Sequence, residues 1–407
     1  MDTLPIIYLG YMFVSIYFLT LFVSLYLKNR KDLFSYEKTK KKYTISVLVP
    51  SFNEQDTIED TIHAIFSSEY PINELIVLND GSTDNTYEIV SKLLLKYPKL
   101  KLINKPNSGK ADSLNQGIKI AESELVAVVD ADSYPAKDSF KKLVGYFDDD
   151  KLGAVTCSII PRNREGFFER LQTIEYYVIA FSRKLLEYVD AIYVTPGPLT
   201  VYRKEALLKI GGFDTKNLTE DIEATWHLTY MGYKRKMCLA THVTTTVPNK
   251  LKAWYKQRRR WSTGGLQCQS KYKKYFLKNG MLGFFILPFF FLQLFLGLLG
   301  LSIFVYLITT RFIRDYLFVK YSISAGTPII TMNEFFITPS FLNYLGIILF
   351  VFGTLFTILM LYIMKSGVLA KQNIFNISFY LLFYLSVYPF IMITALYNFF
   401  MGTGKWR

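Results

Sequence analysis

Four uncharged apolar runs limit this chain to folds that are built into a membrane. One run lies before residue 30 and three lie after residue 280; they are Ile6–Leu27, Phe284–Ile308, Phe341–Met364 and Ile374–Phe400. Each run has about 20 residues or more, the length that an α-helix needs to cross the hydrocarbon core of a bilayer. Lys28, Arg30 and Lys31 follow the first run, so the positive-inside rule predicts an external N-terminus and a cytoplasmic segment after that run.

Charge and composition exclude several classes of protein. The chain carries 47 Lys and Arg against 33 Asp and Glu, a net charge of +14. Many basic residues flank the apolar runs, for example Lys40–Lys42, which favours contact with the lipid bilayer over binding of nucleic acid. The three cysteines are too widely spaced for a disulfide framework, and the three histidines are too scattered for a zinc site. Any bound metal is therefore expected to be a hard cation with oxygen ligands.

Between the first and second apolar runs, the pattern is that of an α/β domain. Short β-rich runs alternate with amphipathic stretches; the strands are predicted at Ile45–Val49, Glu74–Leu78, Leu125–Val129 and Gly153–Ser158, and the helices at Thr57–Ser67, Asn85–Tyr97 and Lys110–Glu122. This alternation predicts a mostly parallel sheet, whose ligands bind beyond the carboxyl ends of the strands. The predicted parts are a transmembrane helix in residues 1–30, a cytoplasmic α/β domain in 43–250, interfacial helices in 251–280 and a membrane domain of about three helices in 281–407.

Polar motifs follow the first two predicted strands and open the third helix. Asn53 and Glu54 follow the first strand, and Asp80 follows the second, where a carboxylate can accept a hydrogen bond from a nucleobase N–H. Asn107–Lys110 places backbone amides and a lysine at a helix start, which suits a diphosphate. The spacing is not that of a Walker A loop. Taken singly, each motif could also be an ordinary turn, a helix cap or a solvated loop.

Two carboxylates, Asp130 and Asp132, directly follow an apolar strand. This arrangement concentrates negative charge at one point, which costs stability unless a cation compensates it. Mg²⁺ or Mn²⁺ bridging these carboxylates and a diphosphate is the compensation we expect, and it would also stabilise a departing nucleoside diphosphate.

Two later motifs complete the set. Thr219-Glu220-Asp221 opens a predicted helix; acidic residues are favoured there as caps, but Asp221 could also act as a general base toward an acceptor hydroxyl. Gln257-Arg258-Arg259-Arg260-Trp261 lies near the membrane boundary. Its arginines can clamp a diphosphate and its tryptophan can stack on a sugar ring, although an interfacial anchor has the same composition.

The ordered set of motifs resembles the processive, membrane-integrated members of glycosyltransferase family 2, which include the cellulose, chitin, hyaluronan and poly-N-acetylglucosamine synthases. The motifs that carry the resemblance lie between Thr44 and Trp261, and the DAD, TED and QRRRW segments occur in the family's order. The resemblance implies a GT-A fold, an inverting mechanism and a divalent metal, Mg²⁺ or Mn²⁺.

The resemblance also assigns a role to each motif residue. The residues implied to bind the donor are Asn53, Glu54, Asp80, Lys110, Asp130 and Arg260. Asp130 and Asp132 would hold the metal, and Asp221 would be the catalytic base. The residues implied to bind the acceptor are Gly197, Pro198, Glu220, Gln257 and Trp261. Asn79 departs from the family, which commonly has an aspartate there, and this change could alter the contacts to the base.

We therefore predict an enzyme at the cell membrane that moves a sugar, preferably from UDP-N-acetylglucosamine, to the end of a growing β-linked polysaccharide. The layout of one helix before the domain and three after it resembles that of poly-N-acetylglucosamine and chitooligosaccharide synthases. Four spans are few for a chain that exports its own polymer, so export would require a homo-oligomer or an accessory protein. Two alternatives remain open: a transferase that adds one sugar to a lipid carrier or glycolipid, and a non-catalytic membrane protein that binds nucleotide sugars.

Overall fold

The computed structural model describes residues 3–326, 341–364 and 374–402. The strands are β1 Ile45–Ser51, β2 Glu74–Asp80, β3 Leu100–Lys105, β4 Leu125–Val128, β5 Ser133–Pro135, β6 Leu152–Pro161, β7 Thr200–Arg203 and β8 Lys234–Thr245. The α-helices are α1 Thr3–Asn29, α2 Ile58–Phe66, α3 Thr86–Leu93, α4 Lys110–Ile120, α5 Ser139–Val144, α6 Phe167–Glu187, α7 Lys204–Lys209, α8 Glu220–Tyr230, α9 Leu251–Tyr272, α10 Leu287–Ala325, α11 Phe341–Ile363, α12 Ile374–Phe379 and α13 Tyr388–Met401.

The eight strands form one mixed sheet in the order β3-β2-β1-β4-β7-β6-β8-β5. Strands β3, β2, β1 and β4 are parallel neighbours, and β6 is parallel to β8. β7 is antiparallel to both β4 and β6, and β5 is antiparallel to β8. Because the first four strands run in one direction, their carboxyl ends lie along a single edge, and the motifs that follow β1, β2 and β4 meet there.

Helices cover both faces of the sheet, which explains why the central strands are buried and mostly apolar. β1 and β2 are buried along their whole length. Val47 and Val77 pack on one face with α2, whereas Leu48 and Leu78 pack on the other with α4. Gly117 of α4 allows this close packing, since a Cβ there would lie 2.9 Å from Leu48 Cδ1.

Within the described residues, four helical segments are long and apolar enough to cross a membrane: Pro5–Asn29, Leu282–Ala325, Tyr344–Ile363 and Ile374–Met401. Within the second segment, α10 continues through the charged residues from Arg311 onward and ends at Ala325. At 1.5 Å per residue, the 39 residues of α10 extend about 58 Å, well beyond a hydrocarbon core of roughly 30 Å.

The prolines of the second and fourth segments follow irregular helix. A π-helical stretch, Leu282–Ile286, precedes Pro288, and π and 3₁₀ stretches, Tyr380–Tyr384 and Leu385–Val387, precede Pro389. Proline removes a backbone donor and crowds the preceding turn, so a change in helix type is expected at these positions.

Candidate active site

Lys110 is the centre of an ionic cluster that brings together three separate motifs. Its Nζ lies 2.6 Å from Asp130 Oδ1 and 2.9 Å from Glu220 Oε1, and its side chain is only 16% exposed. Burial opposes the charge of Lys110, but the carboxylates of Asp130 and Glu220 outweigh that effect and raise its pKa. Burial likewise opposes ionisation of Glu220, whereas Lys110 lowers its pKa below the ordinary value. The sequence-predicted residues 110, 130 and 220 are therefore charged neighbours.

Gly197 packs directly against the Lys110–Asp130 pair. A Cβ at Gly197 would lie 2.6 Å from Lys110 Nζ and 2.8 Å from each oxygen of Asp130. The adjacent turn is fixed by Thr200 Oγ1, which donates to the carbonyl of Pro196 at 2.8 Å. The neighbouring Pro198 is partly exposed. Only glycine leaves room for the Lys110–Asp130 pair at this position.

Gly197→Ala should therefore impair turnover more than folding. The atoms that the new methyl group meets are the ends of flexible side chains, which can move without disturbing the core. A displacement of about 1 Å in an active site can cost roughly a hundredfold, so we expect kcat/KM for the donor to fall by about ten- to a hundredfold. The measurement is steady-state nucleotide release, with the melting temperature in parallel.

Gly265→Ala is the matched control for that change. A Cβ on Gly265 would make only an ordinary contact, 3.8 Å from the Phe290 ring. It should leave kcat/KM within about twofold, because alanine is favoured over glycine within a helix. Equal losses in both variants would contradict the explanation based on Lys110.

Asp132 lies next to the cluster, in the short turn between β4 and β5. Its Oδ1 accepts hydrogen bonds from Ser133 Oγ at 3.1 Å and from Thr245 Oγ1 at 3.4 Å. Burial, followed by the negative charge of Asp130, raises the pKa of Asp132 to about 6. The side chain therefore occupies a position where a bound cation would favour its ionised form.

The carboxylates fit a divalent cation only if a ligand completes the site. Among the residues that the structure describes, no group of three or more His, Cys, Asp and Glu side chains could hold a metal. Asp130 and Asp132 supply hard oxygen donors, and Mg²⁺-type ions are commonly held by one or two carboxylates together with substrate phosphates and water. The donor set thus fits Mg²⁺ or Mn²⁺ that arrives with a diphosphate.

The predicted nucleoside side is built from the loops after β1, β2 and β3. Asn53 has a left-handed backbone with φ of 57°, and its Oδ1 accepts a hydrogen bond from Thr83 N at 2.8 Å. Asp80 is buried; its carboxylate accepts from Ser108 N at 2.9 Å and Gly109 N at 2.8 Å and also pairs with Lys105. Asp80 therefore anchors the loop that leads into Lys110, in addition to any contact with a base.

Glu54 lies on the same edge of the sheet, and its pKa is raised. Burial is the main reason that its pKa is raised to about 7, and the negative charges of Asp132 and Asp130 act in the same direction. Thr57 Oγ1 donates to Glu54 Oε2 at 2.8 Å and partly opposes the shift. Glu54 thus lies within electrostatic reach of the two DAD carboxylates.

Asp221 occupies the first turn of α8, beside Glu220. Its Oδ1 accepts a hydrogen bond from Ile222 N at 2.9 Å. Burial and the negative charge of Glu220 raise the pKa of Asp221 to about 6, although the positive charges of Lys110 and Arg260 partly offset these effects. A carboxylate with this pKa is ionised near neutral pH yet more basic than an ordinary aspartate, as a general base requires.

The segment before α8 is attached to α9, the helix that carries the QRRRW motif. Arg260 Nη1 donates to Leu218 O at 3.0 Å, and Leu218 N donates to Gln267 Oε1 at 2.9 Å. Gly264 permits this contact, because a Cβ there would lie 2.2 Å from Thr219 Oγ1. Arg260 is thereby held on the Glu220 and Asp221 side of the site.

The other two predicted residues of this motif, Gln257 and Trp261, both contact Arg258. Arg258 Nη1 donates to Gln257 Oε1 at 2.5 Å, and its guanidinium carbon lies 4.2 Å from the centre of the Trp261 ring. The sequence grouped Arg258 with the arginines that could clamp a diphosphate, whereas the structure pairs it with Glu175 of α6. Glu175 was missed because it carries no local signal.

Comparisons with known proteins identify the family and the fold. The family model described as glycosyl transferase family 2 matches residues 46–211. A poly-β-1,6-N-acetyl-D-glucosamine synthase of Staphylococcus epidermidis is 34% identical over 286 residues, 69% of each chain. The synthase of that name from Staphylococcus aureus is 36% identical over 223 residues, 54% of each chain. A mannosyltransferase from Pyrobaculum calidifontis, solved with GDP-mannose and Mn²⁺, shares the fold with a TM-score of 0.63 and 18% identity over 97% of this chain and 99% of its own.

The mixed sheet, the acidic cluster at its edge and these matches define a glycosyltransferase with a GT-A fold. The chain belongs to glycosyltransferase family 2, as the sequence motifs predicted. Its homology to the synthases and its four apolar helices confirm the resemblance to membrane-integrated members of that family. The alternative prediction, a non-catalytic protein that binds nucleotide sugars, is therefore wrong.

Proposed function

We propose that this protein is an inverting, metal-dependent membrane synthase that transfers N-acetylglucosamine from UDP-N-acetylglucosamine to the end of a β-linked polysaccharide. The observation that carries the proposal is the cluster in which Lys110 contacts Asp130 and Glu220 beside Asp221. In this cluster the ammonium of Lys110, which would contact the donor diphosphate, lies near the carboxylate of Asp221, which would act on the acceptor. The sugar is proposed because the homologous synthases of Staphylococcus are named for this polymer.

The donor would bind across the carboxyl edge of the sheet. Loops carrying Asn53 and Asp80 would hold the nucleoside, and Lys110 and Arg260 would contact the diphosphate. Asp130 and Asp132 would hold Mg²⁺ or Mn²⁺, which supplies charge stabilisation to the departing UDP. Lys110 already contacts two carboxylates, so donor binding would exchange part of that pairing for phosphate oxygens.

The acceptor would be activated by Asp221. The carboxylate takes the proton from the acceptor hydroxyl while that oxygen forms a bond to the anomeric carbon. The bond between the anomeric carbon and the UDP oxygen breaks on the opposite face, so the configuration inverts. Lys110 and Arg260 would balance the charge of the ionised Asp221, whereas the negative charge of Glu220 would keep Asp221 basic. Trp261, Gln257 and the Gly197-Pro198 turn would contact the acceptor end of the polymer.

The membrane arrangement supports synthesis at the cytoplasmic face. The four candidate spans lie on either side of the catalytic fold, and Lys28, Arg30 and Lys31 follow the first of them. The positive-inside rule therefore favours a cytoplasmic catalytic domain. A homo-oligomer or an accessory protein would contribute to export of the product.

The proposed function is tested by UDP release from detergent-purified protein. The assay uses a panel of UDP-sugars with Mn²⁺ or Mg²⁺, and mass spectrometry sizes the products. Metal-dependent release with UDP-N-acetylglucosamine and a ladder of oligomers is the expected result. If the product is a lipid that carries a single added sugar, the lipid-carrier alternative replaces the proposed polymer synthase. If UDP is released only with another UDP-sugar, the proposed donor is wrong.

The pH dependence of turnover should report the state of Asp221. Its pKa is raised to about 6 by burial and by Glu220, against the opposing charges of Lys110 and Arg260. Because the base must be ionised, kcat should rise about tenfold per unit below pH 6 and level off above it. The check is a pH–kcat profile under saturating donor.

Metal binding could produce a similar acid limb, because the pKa of Asp132 is also raised to about 6. The profile is therefore repeated with tenfold more Mn²⁺. If the fall in kcat at acid pH stays at the same pH, it reports the ionisation of Asp221. If it moves to lower pH with added metal, it reports the ionisation of the metal ligands.

A further inference from the structure

Glu175 is a buried carboxylate whose two oxygens receive four donors from two other parts of the chain. Arg258 of α9 donates to it through Nε at 3.2 Å and Nη2 at 2.5 Å. Tyr384 OH donates at 2.7 Å, and Tyr388 OH donates to the other oxygen. Glu175 is 4% exposed and Arg258 is 1% exposed. This network therefore joins α6 of the catalytic fold, the QRRRW helix and the fourth apolar segment.

The network is extended by aromatic contacts on both sides of Arg258. Trp254 Nε1 donates to Tyr384 OH at 2.6 Å. The Arg258 guanidinium carbon lies 4.2 Å from the centre of the Trp261 ring and 5.7 Å from that of Trp254. A planar guanidinium can pair with a carboxylate and stack on a ring at the same time, which an ammonium cannot do. Arg258 thus contacts both Glu175 and the Trp261 ring and links their positions.

Stability alone is a poor explanation for this network. Buried ion pairs lose solvation when they form, and apolar residues of similar size are often at least as stabilising. The interior of the network is also irregular, since Tyr384 and Tyr388 flank the 3₁₀ stretch Leu385–Val387. Such departures from α-helix inside a span often mark functional positions. A directional set of hydrogen bonds does, however, fix one relative placement of the helices.

We propose that Glu175 is a positioning residue, which through Arg258 sets the Trp261 platform of α9 against the fourth apolar segment. This inference rests on the proposed function, in which Trp261 contacts the acceptor end of the polymer. Glu175 touches neither donor nor metal in this role. Without the charge of Glu175, Arg258 is no longer held, and Trp261 and α9 can adopt several positions. Transfer to the acceptor is then slower, while the affinity for the donor is unchanged.

The test compares Glu175→Gln with Glu187→Gln in the full-length protein. Both carboxylates lie on α6 and both are buried in ion pairs, but Glu187 pairs with Lys184 at 3.0 Å and with Lys236 at 3.3 Å, on α6 itself and on β8. We expect kcat with UDP-N-acetylglucosamine to fall at least tenfold in Glu175→Gln, with shorter products and UDP affinity within twofold. Glu187→Gln should keep kcat within twofold, whatever its effect on melting temperature.

A double-mutant cycle and an activity-independent readout complete the experiment. Arg258→Lys keeps the positive charge but not the combined pairing and stacking, so it should match Glu175→Gln, and the double variant should be no worse than either single one. Hydrogen–deuterium exchange over residues 254–263 should rise in Glu175→Gln and not in Glu187→Gln. The positioning role would be overturned if hydrogen–deuterium exchange over residues 254–263 did not change in Glu175→Gln. It would also be overturned if the double variant lost the product of the two single losses in kcat, or if UDP affinity fell as much as kcat.

Failure of the proposed function has a different signature. If the wild type uses another UDP-sugar, the same variants are compared with that donor. If the wild type makes a single addition instead of a polymer, kcat and exchange still decide the role of Glu175. The positioning inference is thus rejected only by the variant comparison.

Discussion

Asp221→Asn should lower turnover about a thousandfold, within the range of 10² to 10⁴ that a positioned general base contributes. Asparagine keeps the shape of the side chain and can still accept the hydrogen bond from Ile222 N, but it cannot take the acceptor's proton. UDP affinity should remain within about twofold, because the proposed donor contacts lie on other residues. The measurement is UDP release together with calorimetric titration of UDP.

Asp149→Asn is a suitable control for the loss of a carboxylate. Asp149 pairs with Lys234 at 2.9 Å and is 40% exposed, so its removal should change turnover by less than twofold. If Asp221→Asn kept near-normal turnover while folded and able to bind UDP, the assignment of the base would be wrong. Glu220 would not be a substitute in this arrangement, because Lys110 lowers its pKa.

Asp132→Asn should have an effect of similar size through the metal. A divalent cation commonly contributes several kcal/mol of charge stabilisation, and each 1.4 kcal/mol or so is a factor of ten, so turnover should fall on the order of a thousandfold. Asparagine cannot supply the ionised oxygen. Mn²⁺ affinity, measured by calorimetry in the presence of UDP, should fall at least about tenfold.

The control for this prediction is Asp60→Asn. Asp60 is exposed and pairs with Arg162 at 3.1 Å, so its loss should leave Mn²⁺ affinity unchanged. Added Mn²⁺ should partly restore turnover in Asp132→Asn, because weakened binding can be offset by concentration. An unchanged metal requirement in that variant would remove Asp132 from the metal site and leave Asp130 as the remaining candidate.

The sequence predicted four of the described strands, β1, β2, β4 and β6, which have apolar centres, and missed β3, β5, β7 and β8. The predicted β1, β2 and β4 lie within two residues of the observed strands at each end, because these buried strands read as short apolar runs. β3 and β8 contain lysines at partly exposed positions, and β5 has only three residues. β7 follows the Pro196–Pro198 turn and is antiparallel to its neighbours, so the alternation of strands and helices did not reveal it.

The candidate site shows a similar division between local and long-range information. Lys110, Asp130, Glu220 and Asp221 could be selected because each lies at the end of an element with a local motif. The contact between Lys110 and Glu220, by contrast, depends on how α4 and α8 are brought together on one face of the sheet, which no local pattern contains. Glu175 lay unnoticed in an amphipathic helix, because its value comes only from partners in α9 and in the fourth apolar segment.

The hydrogen bonds of Leu218 to α9 have a practical consequence for anyone who wishes to study the enzyme without its membrane part. Truncation at residue 250 follows the change in composition, yet it removes Arg260 and Gln267, which hold the backbone of Leu218, and Gly264, which faces Thr219. The same cut removes Phe290, whose ring packs 5.2 Å from that of Trp226 in α8. A water-soluble fragment would therefore retain the sheet while losing the support of its catalytic helix, so inhibitor screens and crystallisation are better begun with the intact chain in a lipid-like environment.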